Sequence, residues 1–401
     1  MQVTTMGYIN VKGTLNATWQ TNVYGNGMIT VEDGATFNTA ALKLTAQDYS
    51  GRDNTDADRV GKPATIIVDA ATFTVGKVYS ESGADYSYNA DGYGINVGTI
   101  EGKNAVLDIK NGATVNIYTG KDKTANIGAN GTVNVADATL NVACRDAEGT
   151  ATLANNGTVY VTGVANLAAA KVTGNGWFYM DGVSLNANTN LVGAKVGFIN
   201  GTTNLVGSTV KDGWFNVGLG QNSDAAAAAA FAAANGITMG NVVVNVSENA
   251  NIGSAGNAYR GWVGSAYSAD KTQHTYALNV NSSLAAFGYI HVSKDGTLTV
   301  DGRSAAENRY TYDNANVNFY AGELINNGVV TFNNADVWAK YTKMSVDHVG
   351  GVLNINGDTK FESSIHNGSN TGASLKFWNA GTVNVANTAT VEVDNQTILV
   401  D

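Results

Sequence analysis

The sequence has little proline, cysteine or charge. Of its 401 residues, one is proline, one is cysteine and 14% are charged. Proline has no backbone N–H and interrupts strand pairing, so its near absence favours a fold of paired strands. The single Cys144 excludes an internal disulfide and a cysteine-based zinc site. Because no His lies near it in the sequence, we interpret it as a buried or half-buried structural thiol.

Basic residues are also scarce. The chain carries 23 Lys and Arg against 33 Asp and Glu, a formal net charge of −10. This balance, without any run of Lys or Arg, argues against a basic face for nucleic acid or an anionic membrane. The longest apolar run, residues 225–234, is too short to cross a bilayer. We therefore expect no nucleic-acid binding and no membrane insertion by this segment.

The composition is uniform along the chain. No proline-rich, serine-rich or charged linker divides it, and Gly, with 47 residues, is spread throughout. This uniformity predicts one elongated domain over residues 1–401. Strand-like patterning runs to both ends, which indicates a fragment of, or a unit within, a longer assembly.

One short phrase recurs: a glycine, a small residue, and then alternating apolar and polar residues. Clear copies are Gly112–Ile117, Gly131–Val135 and Gly296–Val300. The alternation predicts strands with one buried face, and an Asn or Asp before the Gly predicts a tight turn with positive φ. We expect ten apolar side chains of these phrases to face a core: Val115, Ile117, Val133, Val135, Val159, Val161, Leu298, Val300, Val383 and Val385.

The spacing of the phrase predicts the architecture. Gly112 and Gly131 lie 19 residues apart, and Gly131 and Gly157 lie 26 apart. Units of this length with two or three short strands suit the coils of an all-β solenoid, whereas two-residue hairpins would bring strands much closer in sequence. Abundant Asn then predicts side-chain amide ladders between neighbouring rungs.

Several segments interrupt the repeats. We interpret four of them, residues 47–62, 80–96, 254–273 and 303–314, as loop insertions. The alanine run predicts one short helix, with Ser223 or Asp224 as its N-cap and Gly236 just after its end.

The repeats resemble those of bacterial autotransporter passenger domains and related surface adhesins. The resemblance is carried by Asn96–Gly98, Leu107–Ile109 and Asn111–Val115, and by Phe287–Ile290 running into Asp295–Val300. It extends over most of the chain through a degenerate motif. It implies a right-handed parallel β-helix, an extracellular or cell-surface location and an adhesive role.

The titratable residues give weak indications of chemistry. Asp53, Asp56 and Asp58 are weak Ca²⁺ candidates, but they lack the glycine and terminal glutamate spacing of a calcium loop. A solvated loop is the simpler interpretation of this cluster. The four histidines are scattered, without a metal-binding pair, and we interpret His291 as a surface imidazole. We therefore predict no catalytic residues and no cofactor.

Aromatic residues are the better candidates for partner contacts. The phrases beginning at Trp177 and Trp214 are related, and adjacent aromatic residues on a strand point to opposite faces. The outward member of each pair could stack on a sugar or partner, or pack under an insertion. The predicted contact residues are Trp177, Trp214, Tyr259, Trp262, Tyr310 and Tyr312.

These observations favour a non-enzymatic, extracellular surface β-solenoid that acts as an adhesive or structural passenger. Its partners would be a host or neighbouring cell surface, a glycan, or other copies of itself joined end to end. Two alternatives remain open at this point. One is a self-assembling subunit of an extracellular filament or surface layer, and the other is a polysaccharide-acting β-helix enzyme.

Overall fold

The fold is nearly all β, with parallel strands stacked coil upon coil. A computed structural model describes the chain except for residues 5–6, 47–61, 77, 80–84, 87–94, 102, 121–122, 146–148, 170, 248–249, 254–258, 266–273, 282–283, 303–309, 313–314, 318, 345–350, 363–373, 378–380, 394–396 and 401. The contacts divide the chain into two compact units. The N-terminal unit comprises Met1–Tyr179 and Asn188–Lys195, and the C-terminal unit comprises Met180–Ala187 and Val196–Asp401.

The N-terminal unit contains three stacks of parallel strands, here named A, B and C. Stack A consists of Tyr8–Val11, Met28–Val31, Ala64–Asp69, Ala105–Lys110, Gly131–Ala136 and the first part of Thr158–Ala169. Stack B consists of the first parts of Thr14–Tyr24 and Thr36–Thr45, then Thr72–Val75, Thr114–Thr119, Thr139–Cys144, the last part of Thr158–Ala169, and Asn190–Val192. Stack C consists of Gln2–Val3, the last parts of Thr14–Tyr24 and Thr36–Thr45, then Ile95–Val97, Thr124–Ile127, Thr152–Asn155 and Lys171–Thr173.

The C-terminal unit contains three stacks of the same kind, named D, E and F. Stack D consists of the last part of Lys195–Val206, Val242–Ser247, Tyr276–Asn281, Gly296–Asp301, Val329–Asn333, Val352–Asn356 and Thr382–Val385. Stack E consists of Thr209–Lys211, Asn251–Gly253, Leu284–Phe287, the first parts of Phe319–Asn326 and Asp336–Met344, Thr359–Glu362 and Val391–Val393. Stack F consists of Trp214–Gly220, Arg260–Ser265, Tyr289–Val292, the last parts of Phe319–Asn326 and Asp336–Met344, Ser374–Phe377 and Thr397–Val400.

In each unit the chain visits its three stacks in a fixed order and then begins the next coil. Strands of neighbouring coils therefore pair in parallel, as Ala105–Lys110 does with Ala64–Asp69 on one side and Gly131–Ala136 on the other. This arrangement confirms the predicted all-β parallel β-solenoid. The prediction of a single domain stays a prediction, because the contacts divide the chain into two compact units.

Few elements lie outside the stacks. The remaining strand, Trp177–Leu185, belongs in part to each unit. Two antiparallel hairpins pair Val78–Tyr79 with Asp85–Tyr86 and Tyr310–Tyr312 with Ala315–Val317. Each has one strand inside a predicted insertion, 80–96 or 303–314, and one strand just outside it. The predicted insertion at 254–273 is wrong in part, because Arg260–Ser265 is a strand of stack F.

Helix α1, Asn222–Asn235, joins stack F to stack D. Its predicted end is confirmed: Gly236 has φ 66°, and its N–H points at the carbonyls of the last turn. Its predicted start is wrong, because Gln221 is the N-cap and makes no side-chain capping bond. The helix packs one alanine face inward, through Ala225, Ala228 and Ala232.

The core consists of ladders of like apolar side chains. Eight of the ten predicted inward residues are at most 4% exposed: Val115, Ile117, Val133, Val135, Val159, Val161, Leu298 and Val300. The other two, Val383 and Val385, stack in register on the buried Leu353 and Ile355, yet they are 37% and 53% exposed. For these two the predicted register position is right and the predicted burial is wrong, because the described residues of stack D place no further strand upon theirs.

Asparagine ladders bind neighbouring coils on the outer faces, as the sequence predicts. In stack D the Asn245 side-chain amide donates to Asn204 Oδ1 at 3.0 Å and accepts from Asn279 Nδ2 at 3.0 Å. At another point of the stack, Asn384 Nδ2 donates to Asn354 Oδ1 at 2.9 Å. The parallel register places equal residues one above another, so a single residue type can bond both neighbours.

The substitution Asn245→Ala tests these ladders. It removes two side-chain hydrogen bonds, each with a net value of about 1 kcal/mol, so we expect the free energy of unfolding to fall by roughly 1–2 kcal/mol. Denaturant titration followed by circular dichroism measures this loss. The control, Asn384→Ala, removes one side-chain hydrogen bond at an exposed position and should cost less. Equal losses in the two variants would contradict a ladder contribution.

Candidate functional site

The outer face of stack F carries two of the predicted contact residues, Trp214 and Trp262, beside further aromatic and polar side chains. Along its first strand, Phe215 and Val217 face the core, whereas Trp214 and Asn216 alternate onto the outer face. The same alternation in the next two strands presents Arg260 with Trp262, and Tyr289 with His291. Strand pairing then aligns these residues in two rows across the coils.

The first row consists of Trp214, Arg260 and Tyr289. Trp214 pairs with Arg260, which in turn pairs with Tyr289. The guanidinium carbon lies 5.5 Å from the centre of the Trp214 ring, within the range of a cation–π contact. Arg260 is exposed, whereas the two aromatic residues are half-buried. The row therefore presents one cation between two aromatic side chains.

The second row, Asn216, Trp262 and His291, is more deeply buried. The Trp262 ring is 8% exposed, lies 4.1 Å from the His291 ring between centres, and donates its Nε1–H to Ser293 Oγ at 2.8 Å. An outward position alone would leave such a large ring in water. The stacking and the hydrogen bond instead fix it in one orientation.

His291 has a polar contact on each side of its ring. Asn327 Nδ2 lies 3.2 Å from Nε2, and the Tyr289 hydroxyl lies 3.5 Å from Nδ1. An amide nitrogen only donates, so in this arrangement Nε2 of His291 accepts from Asn327. The second row thus supports Tyr289 of the first row. The predicted surface imidazole is half-buried and takes part in this network.

Tyr259 is in the core and not on this face. Its ring is fully buried, 5.4 Å from the Phe287 ring between centres, and its hydroxyl donates to the Val210 carbonyl at 3.2 Å. Burial raises the pKa of the Tyr259 phenol far above its usual range, and the negative charge of Asp212 raises it further. The phenol therefore remains protonated and structural, and the prediction of a partner contact at Tyr259 is wrong.

The other predicted site residues lie elsewhere. Trp177, in the N-terminal unit, is 7% exposed and stacks on Tyr179 with 6.1 Å between ring centres. Lys195 Nζ lies 6.0 Å from the centre of the Trp177 ring. Tyr310 and Tyr312 are on the strand Tyr310–Tyr312 of the outer hairpin. The Ca²⁺ candidates Asp53, Asp56 and Asp58 lie outside the described residues.

Tyr289 and the partners of His291 were missed as site residues. The alternation of Tyr289–Val292 places Tyr289 and His291 on one face, which the sequence alone could have indicated. Their neighbours could not be found in this way. Arg260 is 29 residues before Tyr289, and Asn327 is 36 residues after His291, across coils of different lengths.

Within the described part of the chain, no group of three or more His, Cys, Asp or Glu side chains could hold a metal ion. The same residues include no helix that is long and apolar enough to cross a bilayer. Cys144 is a half-buried free thiol, as predicted.

The comparisons with known proteins give no relative. Neither protein-family models, nor curated proteins, nor solved structures match the chain.

Proposed function

We propose that the chain is a non-enzymatic, extracellular surface scaffold that acts by adhesion. The autotransporter-like repeats motivate the location and the role. One structural observation supports the proposal best: the parallel register fixes outward side chains in rows across neighbouring coils, as in Trp214, Arg260 and Tyr289. Such rows form a contact surface whose spacing is the strand spacing of about 4.8 Å.

The stacked coils suit a scaffold because the apolar side chains of the core are separate from those of the outer contact row. Inward residues such as Leu298 and Val300 are 0% exposed and build the core by themselves. Outer residues are therefore free of the core and can vary with the partner. Adhesion through such a surface needs binding energy and no reacting group.

A binding and cleavage panel tests this proposal. Purified chain is applied to immobilised cell-surface polysaccharides and to whole cells, and the same polysaccharides are incubated with it in solution, with and without Ca²⁺. We expect saturable binding to at least one surface and no release of reducing ends or unsaturated sugars. Cleavage that is lost on Asp56→Asn or Asp58→Asn would establish the enzyme alternative, and absence of any binding would refute adhesion.

A further inference from the structure

We propose that the row Trp214, Arg260 and Tyr289 binds a saccharide that carries a carboxylate. This inference rests on the proposed adhesive function and names the ligand class for its main contact surface. Arg260 would hold the carboxylate, and the two aromatic rings would hold the sugar faces on either side.

The charge of the row indicates an anionic ligand. The Arg260 side chain is exposed, and the Trp214 ring is the contact that the structure gives its guanidinium. No carboxylate of the described residues forms an ion pair with it, although acidic residues outnumber basic ones by ten in the chain. A guanidinium binds a carboxylate through two parallel N–H···O bonds, so a single unpaired Arg is complementary to one carboxylate.

The flanking aromatic residues indicate that this carboxylate belongs to a sugar. The C–H groups of a pyranose face carry partial positive charge and pack on the negative face of an aromatic ring. Trp214 and Tyr289 follow Arg260 on the two adjacent coils, about 4.8 Å away on each side. A simple anion would need only the guanidinium, whereas a sugar acid uses all three side chains.

Neighbouring side chains order the row before a ligand binds. The Trp214 ring already orients the guanidinium, so less side-chain entropy is lost when a ligand binds. The buried contacts of Trp262 with His291 and Ser293 support the row from the adjacent positions. An acidic residue lies next to the row on one side. Leu324 pairs with Ile290, which places Glu323 beside Tyr289. A second carboxylate there would meet a negative charge, so the site favours one acidic sugar over a dense polyanion.

The ligand side of the test uses matched saccharides. Oligosaccharides that contain one glucuronic acid are compared with the same compounds as methyl esters, which keep the shape and lose the charge. Isothermal titration calorimetry of the full chain measures both affinities at two salt concentrations. We expect the acid to bind more tightly, by roughly 10- to 100-fold, and to weaken as salt rises. Equal affinity for acid and ester would overturn the proposal, even if no variant folds.

The protein side of the test uses three variants. Arg260→Met keeps an apolar stem and should abolish the preference for the acid, whereas Arg260→Lys keeps the charge and should retain part of it. Lys195→Met removes the cation–tryptophan pair of the N-terminal unit and should leave binding unchanged. An unchanged preference in Arg260→Met would overturn the proposal.

The two proposals fail in different ways. A chain that binds cells or neutral glycans without any preference for the acid would refute this inference and leave adhesion standing. A chain that binds no surface and no saccharide would refute both.

Discussion

Replacing Leu298 by Asp is expected to unfold the C-terminal unit or leave it insoluble. The Leu298 side chain is 0% exposed and stands in a ladder between Leu278 and Val330 on the adjacent coils. A carboxylate there would be buried without a partner, which we expect to cost roughly 4 kcal/mol or more. Because the strand pairs on both sides, the damage extends to both neighbouring coils.

The control for this substitution is Thr297→Asp on the same strand. Thr297 is half-buried on the outer face, where water can reach a carboxylate, so we expect a loss below about 1 kcal/mol. Soluble yield and the denaturation midpoint, followed by circular dichroism, measure both variants. A soluble, cooperatively folded Leu298→Asp protein with the parent midpoint would contradict the core assignment.

Local alternation explains why so much of the fold could be predicted. A strand with one buried face shows its orientation within five residues, and Val133, Val135 and Leu298 are buried as expected. Val383 shows the limit of this reasoning, since its orientation follows from its own strand and its burial depends on the coil above. The sequence therefore predicts the orientation of Val383 but contains no local signal for its burial.

The pairing of distant strands could not be predicted from the sequence. Most of the candidate site depends on that pairing, so it could not be predicted either. Tyr8 pairs with Met28 after 20 residues, whereas Ala64 pairs with Ala105 after 41. With coils of unequal length, a repeat does not tell which residue lies above which. Trp214 is a predicted contact residue and Arg260 lies within a predicted insertion. Their contact could not be predicted, because it depends on this register. For the same reason the strand at Arg260–Ser265 was mistaken for part of a loop.

The repeated glycines serve a different purpose from the one that the sequence indicates. Asn111 and Gly112 do form the predicted turn with positive φ, at 57° and 80°. Gly131 and Gly157 have no such φ, and a Cβ on Gly157 would lie 2.2 Å from the Gly131 carbonyl oxygen. These glycines allow the backbones of neighbouring coils to approach closely at the corner. An Asn-Gly pair looks the same in both situations, because the contact comes from a distant coil.

Gly328→Ala tests this close approach directly and is expected to destabilise the C-terminal unit by roughly 3 kcal/mol. A Cβ at this position would lie 2.2 Å from the Ser293 carbonyl oxygen and 2.4 Å from that of Gly296. Both obstacles are backbone atoms, so relief requires the coils to separate. The loss should appear as a lower denaturation midpoint and as faster hydrogen exchange of the amides in Gly296–Asp301 and Val329–Asn333.

The matched control is Gly182→Ala in the same unit, where φ is 60° and a Cβ meets nothing within 4 Å. This substitution costs only the left-handed backbone conformation of an L-residue, about 1 kcal/mol. The pair therefore separates steric contact from backbone conformation, since Gly328 has the contact without positive φ and Gly182 has the reverse. If Gly328→Ala proved as mild as Gly182→Ala, the close contacts between coils would not explain why these glycines recur.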